Sequence, residues 1–527
     1  MLRIPDKVRV FFSKKYLDWA EKLPRFGGGT ISWLQEIREY QRRDSEDTYK
    51  RTRPPQGTEI EFLYFRLVEM FHIEEFTELR EGLLRLLPGL EDSFRTTDFL
   101  AGFRRDAETI SGGSYRPLGI IARKSRVRFI PSEPFREMAE LPTEVDYIGL
   151  KLHKALPSAF IITLDVHLTK EATQQLIRLQ DRHYLPTVRF KKLIPRGMLG
   201  GGHSEDSIEG VMQQEILGWV DRLRASVEGC INPFLNGYFI KQSSDNTTSL
   251  PVVEVYALRG VPESEEAFGV WLKEAHHWWR SLGFGLYPFD AYKGENLMFI
   301  WPQRGSSQGE TAHRLVVLWE PYVRSINTRG FGSGEKGAVV YHTEYFLNAM
   351  VKGITVLRFL ELIQRNVEKL RKEVFGSMNM RRFSRYRMGA YIRLNDTLQR
   401  QSMLLDRISL EFDQQKNWIL RDMNVEKVAE LKNIETVSNS NPDDRNLRDV
   451  IFEAIQFRRD LVKNHLSLIK TSFSEYLVTR NMEAMYQLQR SIFWLTIIIT
   501  IATITGLVAS WQNMQAFLRM LLPRMNF

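Results

Sequence analysis

Apolar and polar positions divide the chain into three textures. Residues 1–57 are basic and mixed, and close on the breaker Arg53-Pro54-Pro55-Gln56-Gly57. From Glu59 to Phe71 the apolar residues Ile60, Leu63, Phe65, Leu67, Val68 and Phe71 recur at helical spacing, which predicts an amphipathic helix. Residues 58–144 therefore read as a mostly helical N-terminal subdomain. The second texture, 145–335, alternates between periods. Ser158–Leu168 is β-branched and apolar and predicts a strand; Thr169-Lys170-Glu171 opens a helix to about Arg182. Ser204 is the expected cap of a helix reaching about Glu228. Strands are expected over 252–258, 296–301 and 314–319, with a helix opened by Ser264 over 265–281. Strands alternating with helices predict an α/β or α+β domain. The Gly-rich stretch Lys191–His203 and the polar stretches 244–248 and 304–309 read as loops.

After Gly337 the pattern becomes helical with few breakers. Long helices are expected over Thr343–Phe375 and about Met380–Leu431, a long helical region spanning 343–440. A polar break, Ser438 to Pro442, follows. Asn441 is the expected cap of a third helix, with Pro442 at its first position, and no Pro or Gly interrupts Asp443–Thr505. Leu447, Val450, Ile451, Ala454, Leu461, Val462, Ile469, Phe473, Tyr476 and Leu477 form an apolar stripe, so residues 441–490 read as a stalk packed on other helices.

The last stretch changes the solvent. From Ser491 to Leu518 no side chain is charged, and Arg490 and Arg519 bound the run. Apolar residues on every face for five turns predict a transmembrane helix over 491–511, with Trp494 and Trp511 near its ends and a short interfacial tail at 512–527. Ala502, Gly506 and Ser510 form a small-residue face that permits close helix packing. Thr496, Thr500 and Thr503 form a polar face. Their hydroxyls either bond their own helix carbonyls, or line a pore or bond across an oligomer. Flanking arginines are balanced. Met1–Lys15 does not read as a secretory signal, which puts the N-terminal bulk in the cytoplasm, in a bacterium at the inner membrane.

The net charge of +9 is concentrated: Arg371–Arg407 holds nine basic and three acidic residues. If the second and third helices form an antiparallel hairpin with its tip near Asn441, Ile392 lies level with Arg490. Arg381, Arg382, Arg385, Arg387 and Arg393 then sit at the lipid headgroups, where each cation is worth about 1 kcal/mol. The alternative is a solvated helix face. No nucleic-acid motif accompanies the cluster, so lipid is the expected partner.

Candidate chemistry is sparse. Gly197 to Ser204 precedes a helix but lacks a P-loop ending, and Glu205 and Asp206 would repel an anion. His276 and His277 beside Glu274 lack a metal-binding spacing, and Trp278-Trp279 next to them points to a packed surface. His342 with Glu344, and Asp165 with His167, lack a third partner. Cys230 is the single cysteine and reads as a small core residue. No cofactor, metal or catalytic signature is expected, which argues against an enzyme.

The stretch Leu495-Thr496-Ile497-Ile498-Ile499-Thr500-Ile501 and the turn Thr505-Gly506-Leu507 resemble the start and end of the first membrane helix of the CorA-type divalent-cation transporters. The resemblance spans the C-terminal third. It implies a cytosolic α/β domain, a long stalk helix entering the membrane, and oligomers around a pore. Ala509-Ser510-Trp511 stands where that family carries Gly-Met-Asn, and one membrane helix stands where it has two. Three functions are thus open. The first is an oligomeric membrane-anchored sensor or scaffold whose α/β domain recognises an unknown signal and gates or perturbs the membrane. The second is a CorA-like channel or transporter, and the third a membrane-tethered enzyme.

Overall fold

A computed structural model describes residues 52–88, 90, 115–123, 134–184, 187–190, 203–242, 250–284, 291–301, 312–328, 334–378, 388–434 and 445–521. The chain forms two compact units, residues 1–362 with 406–458, and residues 363–405 with 459–527.

The first unit is built on a ten-stranded mixed sheet. Its strands are β1 (Glu59–His72), β2 (Tyr115–Ala122), β3 (Phe135–Glu137), β4 (Val145–Leu156), β5 (Ala159–Leu168), β8 (Val252–Arg259), β9 (Ala291–Lys293), β10 (Leu297–Ile300), β11 (Ala312–Leu318) and β12 (Lys432–Asn433). The order is β12-β9-β10-β11-β8-β1-β5-β4-β2-β3. A separate two-stranded ribbon pairs β6 (Thr187–Phe190) with β7 (His203–Asp206). In the large sheet, β11 runs parallel to β8 and β3 parallel to β2, and the other neighbours are antiparallel. Helices pack around it: α1 (Phe76–Leu86), α2 (Lys170–Asp181), α3 (Ile208–Ile231), α4 (Tyr238–Lys241), α5 (Glu265–Glu274), α6 (His276–Ser281) and α7 (Trp319–Ser325). Three long helices follow: α8 (Gly334–Met378), α9 (Met388–Val425) and α10 (Leu447–Leu521).

The helix expected over Glu59–Phe71 is instead β1, the strand at the centre of the sheet, paired with β5 on one side and β8 on the other. Its apolar residues lie on both faces because both faces are covered; Phe62 to Phe71 is buried throughout. Arg66 and Glu69 mimic the polar face of a helix, yet both are buried and paired, as described below. β2 and β3 join the same sheet, so the described residues of 58–144 contribute three strands to it beside α1. The strands and helices read between 158 and 182 and at 252–319 stand where the pattern placed them. Helix 265–281 breaks at Ala275 into α5 and α6. Ser204 belongs to β7, and Ser207 caps α3 by accepting from the Gly210 amide at 3.2 Å. Two serines three residues apart made the cap ambiguous.

The third long helix begins at Leu447, five residues after the expected start at Pro442. Asn446, not Asn441, caps it, accepting from the Asp449 amide at 2.9 Å. In the first unit, α8, α9 and α10 meet where Gly353 leaves no side chain: a Cβ there would lie 3.0 Å from both Ile451 and Met423. In the second unit, Val462, Leu466, Ile469 and Phe473 of α10 are buried, as are Val367, Leu370, Val374, Leu398 and Leu405. Lys470 donates to Ser402 Oγ at 2.9 Å. The expected register, Ile392 opposite Arg490, would put Ser402 opposite Arg480; the observed pairing is ten residues shifted, because α9 ends at Val425, before the expected tip.

Candidate functional site

Three adjacent strands align polar groups in rows. Tyr64 of β1, His167 of β5 and Tyr147 of β4 are cross-strand partners, and the two phenol rings flank the imidazole at 5.1 and 4.1 Å. One step along, Arg66 faces Asp165. Arg66 donates Nε and Nη2 to the two Asp165 oxygens at 2.5 and 2.9 Å, and Lys151 Nζ adds a third bond at 2.9 Å. From α8, Glu344 pairs with Lys151 and lies 3.3 Å from His167 Nε2. Arg66 Nη1 donates to Asn348 Oδ1 at 2.8 Å, and Tyr64 donates to Thr343 Oγ1 at 3.1 Å. Burial pushes the Asp165 carboxyl up, but Arg66 and then Lys151 overcome it and hold the group well below the usual carboxylate range.

Glu344 is the third partner of the Asp165–His167 pair. Asp165 and His167 share one face of β5, and Glu344 reaches them across 177 residues from His167, a separation no spacing rule reports. Asp165 is held by Arg66 and Lys151, and Glu344 by Lys151 and His167. The cluster ties α8 to the sheet. Its counterpart on β8 is Glu254, buried between Arg224 and Arg314 and accepting from Tyr256 at 2.9 Å.

A second buried acid differs. Glu69 accepts from three backbone amides, Met70 and Phe239 at 2.8 Å and Ile240 at 3.1 Å. Among the described residues no cation pairs with it, and burial pushes its carboxyl up to about 8 against those amides. Gly237 permits the approach, since a Cβ there would lie 2.7 Å from the Glu69 side chain. His277 pairs with Glu209, while Trp278 and Trp279 are fully buried, as the packed-surface reading required. Among the described residues no three His, Cys, Asp or Glu side chains gather to hold a metal ion. Cys230 is half-buried, its thiol donating to the Glu140 carbonyl at 3.3 Å, rather than a core residue.

Among the described residues one helix, α10, is long and apolar enough to cross a membrane, and its apolar window has no buried residue. Thr496, Thr500 and Thr503 donate to the carbonyls of Ile492, Thr496 and Ile499 at 2.8, 2.7 and 2.8 Å. Their hydroxyls are thus satisfied within the helix. Ala502, Gly506 and Ser510 are exposed, and nothing lies within 4 Å of a Cβ built on Gly506. At about 100° per residue, the Thr set and the small set fall in one arc of roughly 160°. Phe493, Ile497, Ile501, Ile504 and Val508 fall outside it. The same arc continues down the helix through Val478, Met482, Met485, Leu488 and Gln489. Arg480, Glu483 and Arg490 lie on the other side. Val478, Met482, Met485 and Leu488 are each more than half exposed. This face is roughly opposite Val462, Ile469 and Phe473, which the chain buries against itself. The expected stalk stripe is therefore consumed internally, and the open seam is a different one.

Arg393 is exposed on α9; Arg381, Arg382, Arg385 and Arg387 lie outside the described residues, as do residues 191–202, the two polar loops and Asn441 with Pro442. No known protein family, no curated protein and no solved structure matches the chain.

Proposed function

We propose that this chain is an oligomeric membrane-anchored sensor or scaffold: α10 anchors it, copies associate along one seam of α10, and the α/β unit receives a signal on the cytoplasmic side. The observation that carries the reading is the uncharged seam from Val478 to Ser510. Its lower part exposes apolar side chains at a level where Arg480, Glu483 and Arg490 require water, and its upper part carries Thr496, Thr500, Thr503, Ala502, Gly506 and Ser510 beside Ile492, Leu495, Ile499 and Leu507. A solitary span has no reason to sort its residues this way, since lipid surrounds it evenly. Val478, Met482, Met485, Gln489, Ile492, Thr496, Ile499, Thr503, Gly506 and Ser510 alternate by four and three, the repeat by which parallel helices of one sequence interlock. Burying an apolar side chain from water contributes about 1.5–3 kcal/mol. Interhelical polar contacts in the membrane average only about 0.6 kcal/mol. The aqueous part of the seam thus dominates the association. Light scattering of the detergent-solubilised chain tests it. The expected mass is a multiple of 61.7 kDa, reduced by Met482→Asp with Met485→Asp and unchanged by Ile497→Ala. A monomeric wild type would overturn the assembly and leave a simple tethered domain.

A further inference from the structure

Where the β2–β4 side of the sheet meets α8 and α9, the first unit encloses a cleft of about 410 Å³. This is within the range of small-molecule sites. Its polar groups are unevenly satisfied. Arg66 can only donate, so its bond to Asn348 Oδ1 decides which way that amide points and leaves Nδ2 as the spare donor. Asn348 lines the cleft, and its Nδ2 is buried with no hydrogen-bond partner. Native proteins rarely leave such a donor unmet. Beside it on α8, the Lys352 side chain is 8% exposed and its ammonium lies 3.1 Å from Asp422 Oδ2 of α9. His153 lines the same cleft, with Nε2 3.0 Å from Thr163 Oγ1. Burial, then the cations Arg66, Lys151 and Lys352, hold it neutral. Tyr115 and Tyr345 meet edge to face at 5.8 Å along the wall, and Trp418 is 37% exposed with Arg421 over its ring.

Lys352 and Arg421 are balanced by Asp422 and Glu426, so the cleft favours neither a bare anion nor a bare cation. It instead presents a buried cation and a carboxylate side by side, a spare amide donor, and aromatic walls. We propose that the cleft binds a free α-amino acid, a ligand whose own carboxylate and ammonium stand on one carbon. The ligand carboxylate takes Lys352 and Asn348 Nδ2. Its ammonium takes Asp422, and its side chain lies against Trp418 and Tyr115. The four charges close a ring in which each faces its opposite, so the Lys352–Asp422 pair need not break. This site is independent of the assembly seam, and either can fail without the other.

The test uses the full chain in detergent, titrated calorimetrically with each of the twenty common L-α-amino acids. At least one is expected to bind with one site per chain. Its amine lacking the carboxylate, and its acid lacking the amine, should bind about tenfold or more weakly, a difference of about 1.4 kcal/mol. Asn348→Leu and Asp422→Asn should each weaken binding by a similar factor. Asp422→Asn leaves the 8% exposed Lys352 without its carboxylate, so circular dichroism checks its fold, and Asn348→Leu, which removes no charge, gives an independent reading. Binding by none of the twenty overturns the proposal. So does equal binding by a singly charged analogue, by inorganic phosphate, or by folded Asp422→Asn protein.

Discussion

Replacing Asp165 by Asn should destabilise the α/β unit severely, and the size of the effect follows from who is left behind. Asp165 and Arg66 are each 1% exposed, and Asp165 also holds Lys151. With the carboxylate gone, Arg66 and Lys151 share Glu344 as their remaining ionic partner in the cluster. Removing one member of a buried pair costs about 3–5 kcal/mol, because the stranded charge stays out of water. The Asn carbonyl can still accept one bond from Arg66, which places the cost near the lower end, about 3 kcal/mol. The unit comprises residues 1–362 with 406–458, and at about 2.1 cal/mol/K of unfolding entropy per residue that lowers the melting temperature by about 3–4 °C. Removing both charges is a different perturbation. Arg66→Met with Asp165→Leu leaves Lys151 to Glu344 and strands nothing, so the double variant should recover much of the loss. Calorimetry of the full chain in detergent at neutral pH reads both values. A single variant within about 1 kcal/mol of wild type, or a double variant worse than the single one, would refute the stranded-charge reasoning. The pH dependence has a definite sign. A depressed carboxyl stabilises the fold above its unfolded value near 3.9 and is lost only as pH falls through the lower folded value. The Asp165 contribution should therefore survive acidification to about pH 4.

Glu69 has the opposite sign. Its folded value of about 8 exceeds its unfolded one, so the native state holds a proton that the unfolded state releases, and its contribution falls as pH rises toward 8. Glu69→Gln should flatten the decline of melting temperature over that range, whereas an unchanged slope assigns the decline elsewhere. Deleting residues 491–527 should move the chain to the soluble fraction; a truncated chain still pelleting with membranes after a high-salt wash would show a second membrane contact. Charge reversal of Arg381, Arg382 and Arg385 to Glu should weaken binding of the anchor-deleted chain to vesicles of anionic lipid, and equal binding would leave those arginines a solvated face. Ile469→Asp should unfold the second unit, since Ile469 is fully buried there; a variant with unchanged helicity and melting would show that this residue is not packed.

The elements that the sequence alone determined are those whose burden falls on one stretch of chain. A membrane span must satisfy every backbone group within itself and be apolar on every face, so α10 between Arg490 and Arg519 is legible residue by residue. Strands such as β5 and β8, and caps such as Thr169 and Ser264, are likewise local. What tertiary structure decided is where charge is buried. Arg66 and Glu69 in the run Glu59–Phe71 read as a wet helix face because nothing nearby says they are paired. Their partners come from β5, from α8 and from the amides that open α4, brought together by strand register. Asp165 and His167 stand two apart in the sequence, but Glu344 becomes their neighbour only once α8 lies on the sheet. The stalk shows the same division. Its apolar stripe was visible, yet only packing reveals that Ile469 and Phe473 spend it inside the chain, leaving Val478, Met482 and Met485 as the face still open. Periodicity reports that a face is apolar; which surface covers it is a property of the folded whole.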